Sequence, residues 1–320
     1  MANYKVLIAD SRYAAYDEER AVLEKIGAEV IVERSDREDV IASMIGDVDG
    51  LIVNLAPITA RVIAAMRKCR CVSRYGVGYD NVDTAALRER GIFLANVPDY
   101  CGEDVSDHAF ALLMDCVRKI ARKDRHVRQG EWNLTGLQPV CRVAGKTFGF
   151  VGYGFIARIL HRKLGGFNLG RVLVADPFVA EDVVTRAGAE RVDLEVLLRE
   201  SDFVSVHAPL LPSTRGMIGA TQFGMMKRTA IIINTSRGPL IDQRALTVAL
   251  KCGHIACAGI DVFENEPLDG ASELRTLDNI TMTDHAGWYS EEAMVELKTK
   301  AAQNIATTLL EGRPRYPVVL

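Results

Sequence analysis

Short runs rich in Val, Ile and Leu alternate with helix-length amphipathic segments along almost the whole chain. Lys5–Ala9, Glu29–Val32, Gly50–Asn54, Val72–Tyr75 and Ile92–Ala95 make one series of such runs. Thr147–Gly152, Arg171–Asp176, Asp202–His207, Ala230–Asn234, Ala256–Asp261 and Asn279–Thr283 make a second. Near-continuous apolar runs of this length suit strands buried on both faces, and Tyr16–Ile26 and Asp83–Arg90 have the pattern of helices between them. Strand–helix–strand alternation implies parallel sheets covered by helices on both faces. Two series therefore predict an α/β protein with two doubly wound parallel-sheet domains. Asp104–Ala121 carries apolar residues at 109, 112, 113, 116, 117 and 120, the spacing of one long helix bridging the two. Ser290–Glu311 predicts a last long helix that returns to the first domain. A chain of 320 residues is long enough for both domains to bury a core.

Hydrophobic residues make up 48% of the chain and charged residues 25%, with a net charge of −3. Disorder is therefore not expected, nor is binding to nucleic acid or anionic membranes. The longer apolar stretches, such as Ala109–Met114, fall far short of the ~20 residues that a membrane helix needs. Met1-Ala2-Asn3-Tyr4-Lys5 leads straight into Val6–Ala9, without the features of a signal peptide. The reading is a soluble, cytoplasmic protein. The seven cysteines form no C-x-x-C motif and no His pair stands at zinc spacing, so neither a metal site nor disulfides are expected.

The sharpest local motif is Gly152-Tyr153-Gly154-Phe155-Ile156-Ala157, set between a strand and an amphipathic helix. Gly152 allows the tight turn, Gly154 removes a side chain that would block a pyrophosphate, and Ala157 lets the helix approach the sheet. The helix N-terminus offers free N–H groups and partial positive charge to phosphate. The next strand ends in Asp176, which can accept hydrogen bonds from both adenosine ribose hydroxyls and would repel a 2′-phosphate. The motif thus predicts NAD as cofactor.

Three later strand ends carry charged side chains: Asn234-Thr235-Ser236-Arg237-Gly238, Asp261-Val262-Phe263-Glu264-Asn265-Glu266-Pro267 and Thr283-Asp284-His285-Ala286-Gly287-Trp288. Open α/β sheets bind ligands at such ends, so an Arg, a Glu and a His can converge on one crevice. An Arg fork holds a carboxylate at two points. A His moves a proton near neutral pH, while the Glu holds its ring and favours its charged form. Hydride transfer between a 2-hydroxy acid and a 2-keto acid needs this set.

With these segments in view, the chain resembles the D-isomer-specific 2-hydroxyacid dehydrogenases, in their phosphoglycerate dehydrogenase and C-terminal-binding-protein branches. Arg74-Tyr75-Gly76-Val77-Gly78-Tyr79-Asp80-Asn81-Val82-Asp83, Asn96-Val97-Pro98, Gly130-Glu131-Trp132, Gly145-Lys146-Thr147 and Val206-His207-Ala208-Pro209-Leu210 carry the resemblance beside the strand ends just named. It implies a Rossmann NAD-binding domain over 102–286 inserted in a flavodoxin-like substrate-binding domain made of 1–101 and 287–320. It implies catalytic roles for Arg237 at the substrate carboxylate and carbonyl, Glu266 as partner of the histidine, and His285 as general acid/base. Val77 and Gly78 match a loop whose N–H groups grip the substrate carboxylate, with Arg74 beside it. Phe155, Ile156, Asp176, His207, Ala208, Thr235, Ser236, Asp261 and Gly287, with the two motif glycines, fall at cofactor-binding positions. The resemblance also implies a homodimer formed through the NAD-binding domain.

Asp284 departs from the family, which usually has Pro before the catalytic His. Trp288 replaces a commoner small residue and is expected to wall the substrate pocket. The leading reading is an oxidoreductase acting on a small 2-hydroxy or 2-keto acid such as 3-phosphoglycerate, hydroxypyruvate or glyoxylate. The alternative is an NAD(H)-sensing transcriptional regulator, since the C-terminal-binding-protein branch includes corepressors. Of the other histidines, His126 and His161 read as solvated on Arg/Lys-rich stretches, and His108 reads as structural at the start of a helix.

Overall fold

The computed structural model describes residues 3–132 and 140–319. The start of the N-terminal stretch, Met1-Ala2, and the last residue of the expected C-terminal segment, Leu320, lie outside the described residues. The chain divides into two compact units, Met1–Cys101 with Ser290–Leu320 and Gly102–Tyr289. The expected second boundary, 286/287, moves to 289/290, so Gly287, Trp288 and Tyr289 stay with the second unit.

The first unit holds five parallel strands, β1 (Tyr4–Ala9), β2 (Ala28–Glu33), β3 (Gly50–Val53), β4 (Cys71–Arg74) and β5 (Phe93–Ala95). Their order is β2-β1-β3-β4-β5, with Val6 opposite both Val30 and Gly50. Leu7, Ile41, Leu51, Val53, Val62, Val72 and Leu94 form its core. The helix Glu291–Glu311 packs on β3, β4 and the helix Asp17–Leu23. A methyl group at Gly50 would meet Ile305 Cγ2 at 2.6 Å, so the glycine lets this helix seat on the sheet. The Ser290 hydroxyl caps the helix by accepting from the Ala293 N–H at 3.0 Å.

The second unit holds seven parallel strands, β6 (Thr147–Val151), β7 (Arg171–Ala175), β8 (Glu190–Arg191), β9 (Phe203–Val206), β10 (Ile231–Asn234), β11 (Cys257–Ile260) and β12 (Ile280–Met282). Their order is β12-β11-β10-β9-β6-β7-β8, which reverses direction between β6 and β9. That is a Rossmann arrangement, and its ligand crevice opens at the reversal. The helices Gly102–Arg118 and Phe155–Leu164 cover one face with Ala109, Leu112, Leu113, Ala157 and Leu160. Val204, Ile232, Leu246 and Ile260 belong to the core on the other face.

Several expectations need correcting. The bridging helix is two helices, Gly102–Arg118 and Ile120–Arg128, both in the second unit. Lys119 between them has φ 58°, and the Asp115 carboxylate caps the second helix by accepting from the Ala121 N–H at 2.7 Å. β8 was not expected, being two exposed polar residues at a sheet edge. His161 is half-buried against Tyr153, its Nδ1 2.6 Å from the Tyr153 hydroxyl, and burial pushes its pKa down. His126 is paired with Glu131 at 2.6 Å. No helix among the described residues is long and apolar enough to cross a membrane.

Candidate active site

All but one of the expected strands in the second unit ran one residue too far at their C-terminal ends, and the residues left over, Gly152, Asp176, His207, Asp261 and Thr283, lie at the candidate site. Gly152 follows β6 with φ 85°, where a side chain is strained. A Cβ there would also meet the Ala208 nitrogen at 2.7 Å and the His207 carbonyl carbon at 2.8 Å. The turn therefore requires glycine. Gly154 precedes the helix Phe155–Leu164, and a Cβ on it would have no neighbour within 4 Å. The space in front of the helix N-terminus is open, with Phe155 exposed and Ile156 half-buried at its first turn.

Asp176 follows β7. It accepts from the Tyr153 N–H at 2.8 Å and from the Phe178 N–H at 2.8 Å, which ties the glycine turn to the next strand. His207 follows β9, with Nε2 2.8 Å from the Ser205 hydroxyl. Burial pushes its pKa down to about 4, so the ring is neutral and suited to support, not to proton transfer. The Ala208 carbonyl accepts from the Ser236 hydroxyl at 2.8 Å.

Asn234 ends β10 and organises the Arg237 loop. Its amide donates to the Arg237 carbonyl at 2.9 Å and its Oδ1 accepts from the Ser236 N–H at 3.1 Å. Arg237 itself donates from Nη1 to the Ser236 carbonyl at 2.8 Å. A Cβ on Gly238 would fall on the Phe263 backbone carbonyl, so the loops after β10 and β11 approach closely only through glycine. Glu266, in the second loop, accepts from the Phe263 N–H at 3.0 Å and faces His285, with Oε2 2.7 Å from Nδ1. Burial would raise the Glu266 pKa, but the His285 bond and charge bring it below its ordinary value. It is an anion at neutral pH.

His285 has φ 59°, a left-handed conformation that costs a residue with a Cβ about 1–2 kcal/mol. Asp261, 1% exposed, enforces it. The Asp261 carbonyl accepts from the His285 N–H at 2.8 Å, and its carboxylate accepts from the Ala286 and Gly287 N–H groups at 2.9 and 3.0 Å. Burial alone would raise the Asp261 pKa, yet bonds from His108, Thr283 and Gly287 hold it down at about 2. Trp288 is half-buried and stands edge-on to Tyr289, with ring centroids 5.6 Å apart.

The second unit thus brings Arg237, Glu266 and His285 to neighbouring strand ends. Arg74, Val77 and Gly78 belong to the first unit, where Asn96 Nδ2 donates to the Val77 carbonyl at 2.7 Å and shapes that loop. Two members of the constellation were missed, Thr283 and His108. The signal for His108 was present, because it sits on the apolar stripe of its helix with Val105, Ala109 and Leu112.

The site's residues fit a dinucleotide. Besides the glycine turn and the open helix end, Thr235 Oγ1 is buried and finds no hydrogen-bond partner among the described residues. The backbone and hydroxyl groups of 234–236 offer further polar contacts along the same sheet edge. When bound, a nicotinamide cofactor supplies or accepts the hydride.

Residues 110–287 match the model of the D-isomer specific 2-hydroxyacid dehydrogenase NAD-binding domain. The glyoxylate reductase of Korarchaeum cryptofilum is 42% identical over 280 residues, covering 86% of this chain and 81% of that protein. The D-3-phosphoglycerate dehydrogenase of Methanocaldococcus jannaschii is 34% identical over 307 residues, covering 95% of this chain and 57% of that one. Among solved structures, the NADPH-dependent glyoxylate/hydroxypyruvate reductase of Sinorhizobium meliloti, in complex with NADP and malonate, superposes with a TM-score of 0.88. It is 26% identical, covering 99% of this chain and 97% of that one. These relatives support an oxidoreductase acting on CH–OH groups, and nothing in them supports the regulator reading. The chain belongs to the D-isomer-specific 2-hydroxyacid dehydrogenases.

Proposed function

We propose that this dehydrogenase uses NADH to reduce a small 2-keto acid, with His285 as the acid, Glu266 as its partner and Arg237 as the carboxylate and carbonyl ligand. The observation that carries this reading is the 2.7 Å contact between His285 Nδ1 and Glu266 Oε2. It occupies one ring nitrogen and leaves Nε2 as the atom that can deliver a proton. Arg74, Val77 and Gly78 are assigned to substrate binding within the first unit, the proposed substrate-binding domain. Glyoxylate and hydroxypyruvate lead 3-phosphoglycerate as substrates, since the glyoxylate reductase relative shares more of the sequence. Trp288, bounding the pocket, favours the smaller acids.

Preference for NAD over NADP rests on Asp176. Its two backbone bonds hold the carboxylate at the end of β7, beside the glycine turn, and a negative charge there would oppose a 2′-phosphate. Pro177, Phe178 and Val179, which follow it in the chain, carry no cation, but the fold brings two guanidinium groups to neighbouring carbonyls. Arg191 donates to the Pro177 carbonyl at 3.4 Å, and Arg158 to the Tyr153 carbonyl at 3.1 Å. They offset part of the repulsion, so about a tenfold preference in kcat/KM is expected, equivalent to ~1.4 kcal/mol. A panel of 2-keto acids of increasing size, assayed with both cofactors, tests substrate and cofactor together. Equal kcat/KM with the two cofactors removes Asp176 from its role, and no turnover with any acid removes the proposed function.

Glu266→Gln should keep the shape of the site and lose its charge. The carboxylate holds the His285 ring through Nδ1, so without it kcat for keto-acid reduction is expected to fall at least about tenfold. Unchanged kcat would take Glu266 out of the mechanism.

A homodimer through the second unit is also proposed. The helix Ile120–Arg128 has no buried residue, and Ile120, Val127 and Trp132 are exposed at 59%, 53% and 89%. Covering these apolar groups favours association with a second copy, which sedimentation of the purified protein tests. A cytoplasmic location belongs to the same proposal and is checked by fractionating cells.

A further inference from the structure

A hydrogen-bonded chain runs from the first helix of the second unit to the backbone of the proposed acid. His108 Nε2 lies 2.9 Å from the Thr283 hydroxyl oxygen and 3.3 Å from Asp261 Oδ1. The Thr283 hydroxyl donates to the same Asp261 oxygen at 2.6 Å. Thr283 has one proton to give, so His108 must be the donor at Nε2, toward both oxygens. Asp261 then has both carboxylate oxygens held by fixed donors: Oδ1 by the side chains of His108 and Thr283 and by the Ala286 N–H, and Oδ2 by the Gly287 N–H. The packing leaves no slack, because a Cβ on Gly287 would meet Asp261 Oδ2 at 2.9 Å and the His108 ring at 3.2 Å.

From this geometry we infer that His108 is a positioning residue for catalysis: through Thr283 and Asp261 it holds the 285–287 turn, and with it the imidazole of His285. The inference rests on the reading of His285 as the general acid. Left to itself, a histidine leaves the left-handed region, and the ring then swings away from Glu266 and the carbonyl it protonates. A buried carboxylate deprived of one donor moves to find another, and its only covalent tether to the site is the strand end that also carries the His285 contact. Misplacement on the order of 1 Å at a reacting group is enough to reduce turnover about 100-fold.

The test compares His108→Phe, which keeps the ring's bulk without a donor, with His108→Gln, whose amide nitrogen reaches the position of Nε2. For the Phe variant, kcat in keto-acid reduction should fall ~10–100-fold, with KM for the keto acid changed much less. The Gln variant should recover most of the lost kcat. Should the Phe variant fail to fold, Thr283→Val breaks the same chain with little change of shape, and its kcat should fall by a similar factor. Wild-type kcat in folded His108→Phe or Thr283→Val overturns the inference. So does an equal loss in the Phe and Gln variants accompanied by equal losses of Tm, which marks His108 as structural only. His285→Ala serves as the reference: if it turns over normally, the reading of the acid has failed, whatever the His108 variants do.

Discussion

Replacing His285 with alanine is expected to lower kcat for keto-acid reduction by ~10²–10⁴, the usual worth of a positioned acid or base. NADH should still bind, because the residues that fit the dinucleotide stand elsewhere, at the Gly152 turn, Asp176 and the 234–236 loop. The backbone is not what is being tested: alanine and histidine both meet the same strain at φ 59°. Asparagine tolerates that region better, so His285→Asn is the companion variant. Its kcat should be as low as that of the alanine variant while its Tm is kept or raised. Steady-state rates, NADH fluorescence titration and melting curves together decide the matter. Turnover near wild type in either variant would remove the proposed proton donor.

Loss of Arg237 should act on two parameters at once. The guanidinium is assigned both the substrate carboxylate, held equally in ground and transition states, and the carbonyl oxygen, whose charge grows as hydride arrives. Removing the first raises KM, and removing the second lowers kcat. Loss of one donor to a developing oxyanion is worth ~10²–10³ in kcat, so kcat/KM for Arg237→Ala should fall by more than about 10³. Arg237→Lys should recover little, since a single ammonium cannot reproduce the two-point fork. Steady-state kinetics over a range of keto-acid concentrations separates the parameters. A rise in KM with unchanged kcat would confine Arg237 to ground-state binding.

The sheets were legible because their strands are rich in Val, Ile and Leu and their crossovers amphipathic, which is why every strand longer than two residues could be found. β8 was invisible, since Glu190 and Arg191 lack an apolar signal and pair only at an edge. The break at Lys119 was equally hidden, because the 3.6-residue pattern continues across it. Gly152, Asp176, Arg237, Glu266 and His285 could be singled out as candidates because each stands at a strand's end or in the loop that follows it. The clamp on His285 could not. Asp261, Thr283 and His108 come from two strand ends and a distant helix, and only the fold shows that their polar atoms meet. Arg191 illustrates the same difficulty, since only the fold brings its guanidinium to the Pro177 carbonyl next to Asp176.

The nesting of the second unit within the first also governs the order in which the protein can be completed on the ribosome. Ala301, Ala302 and Ile305 are fully buried within the first unit, yet they leave the ribosome only after all of Gly102–Tyr289 has been made. Until then β3 and β4 lack the helix that covers one of their faces. The second unit is continuous in the chain and needs no later segment to close its core. The first 101 residues therefore wait, incompletely covered, through the synthesis of the whole second unit.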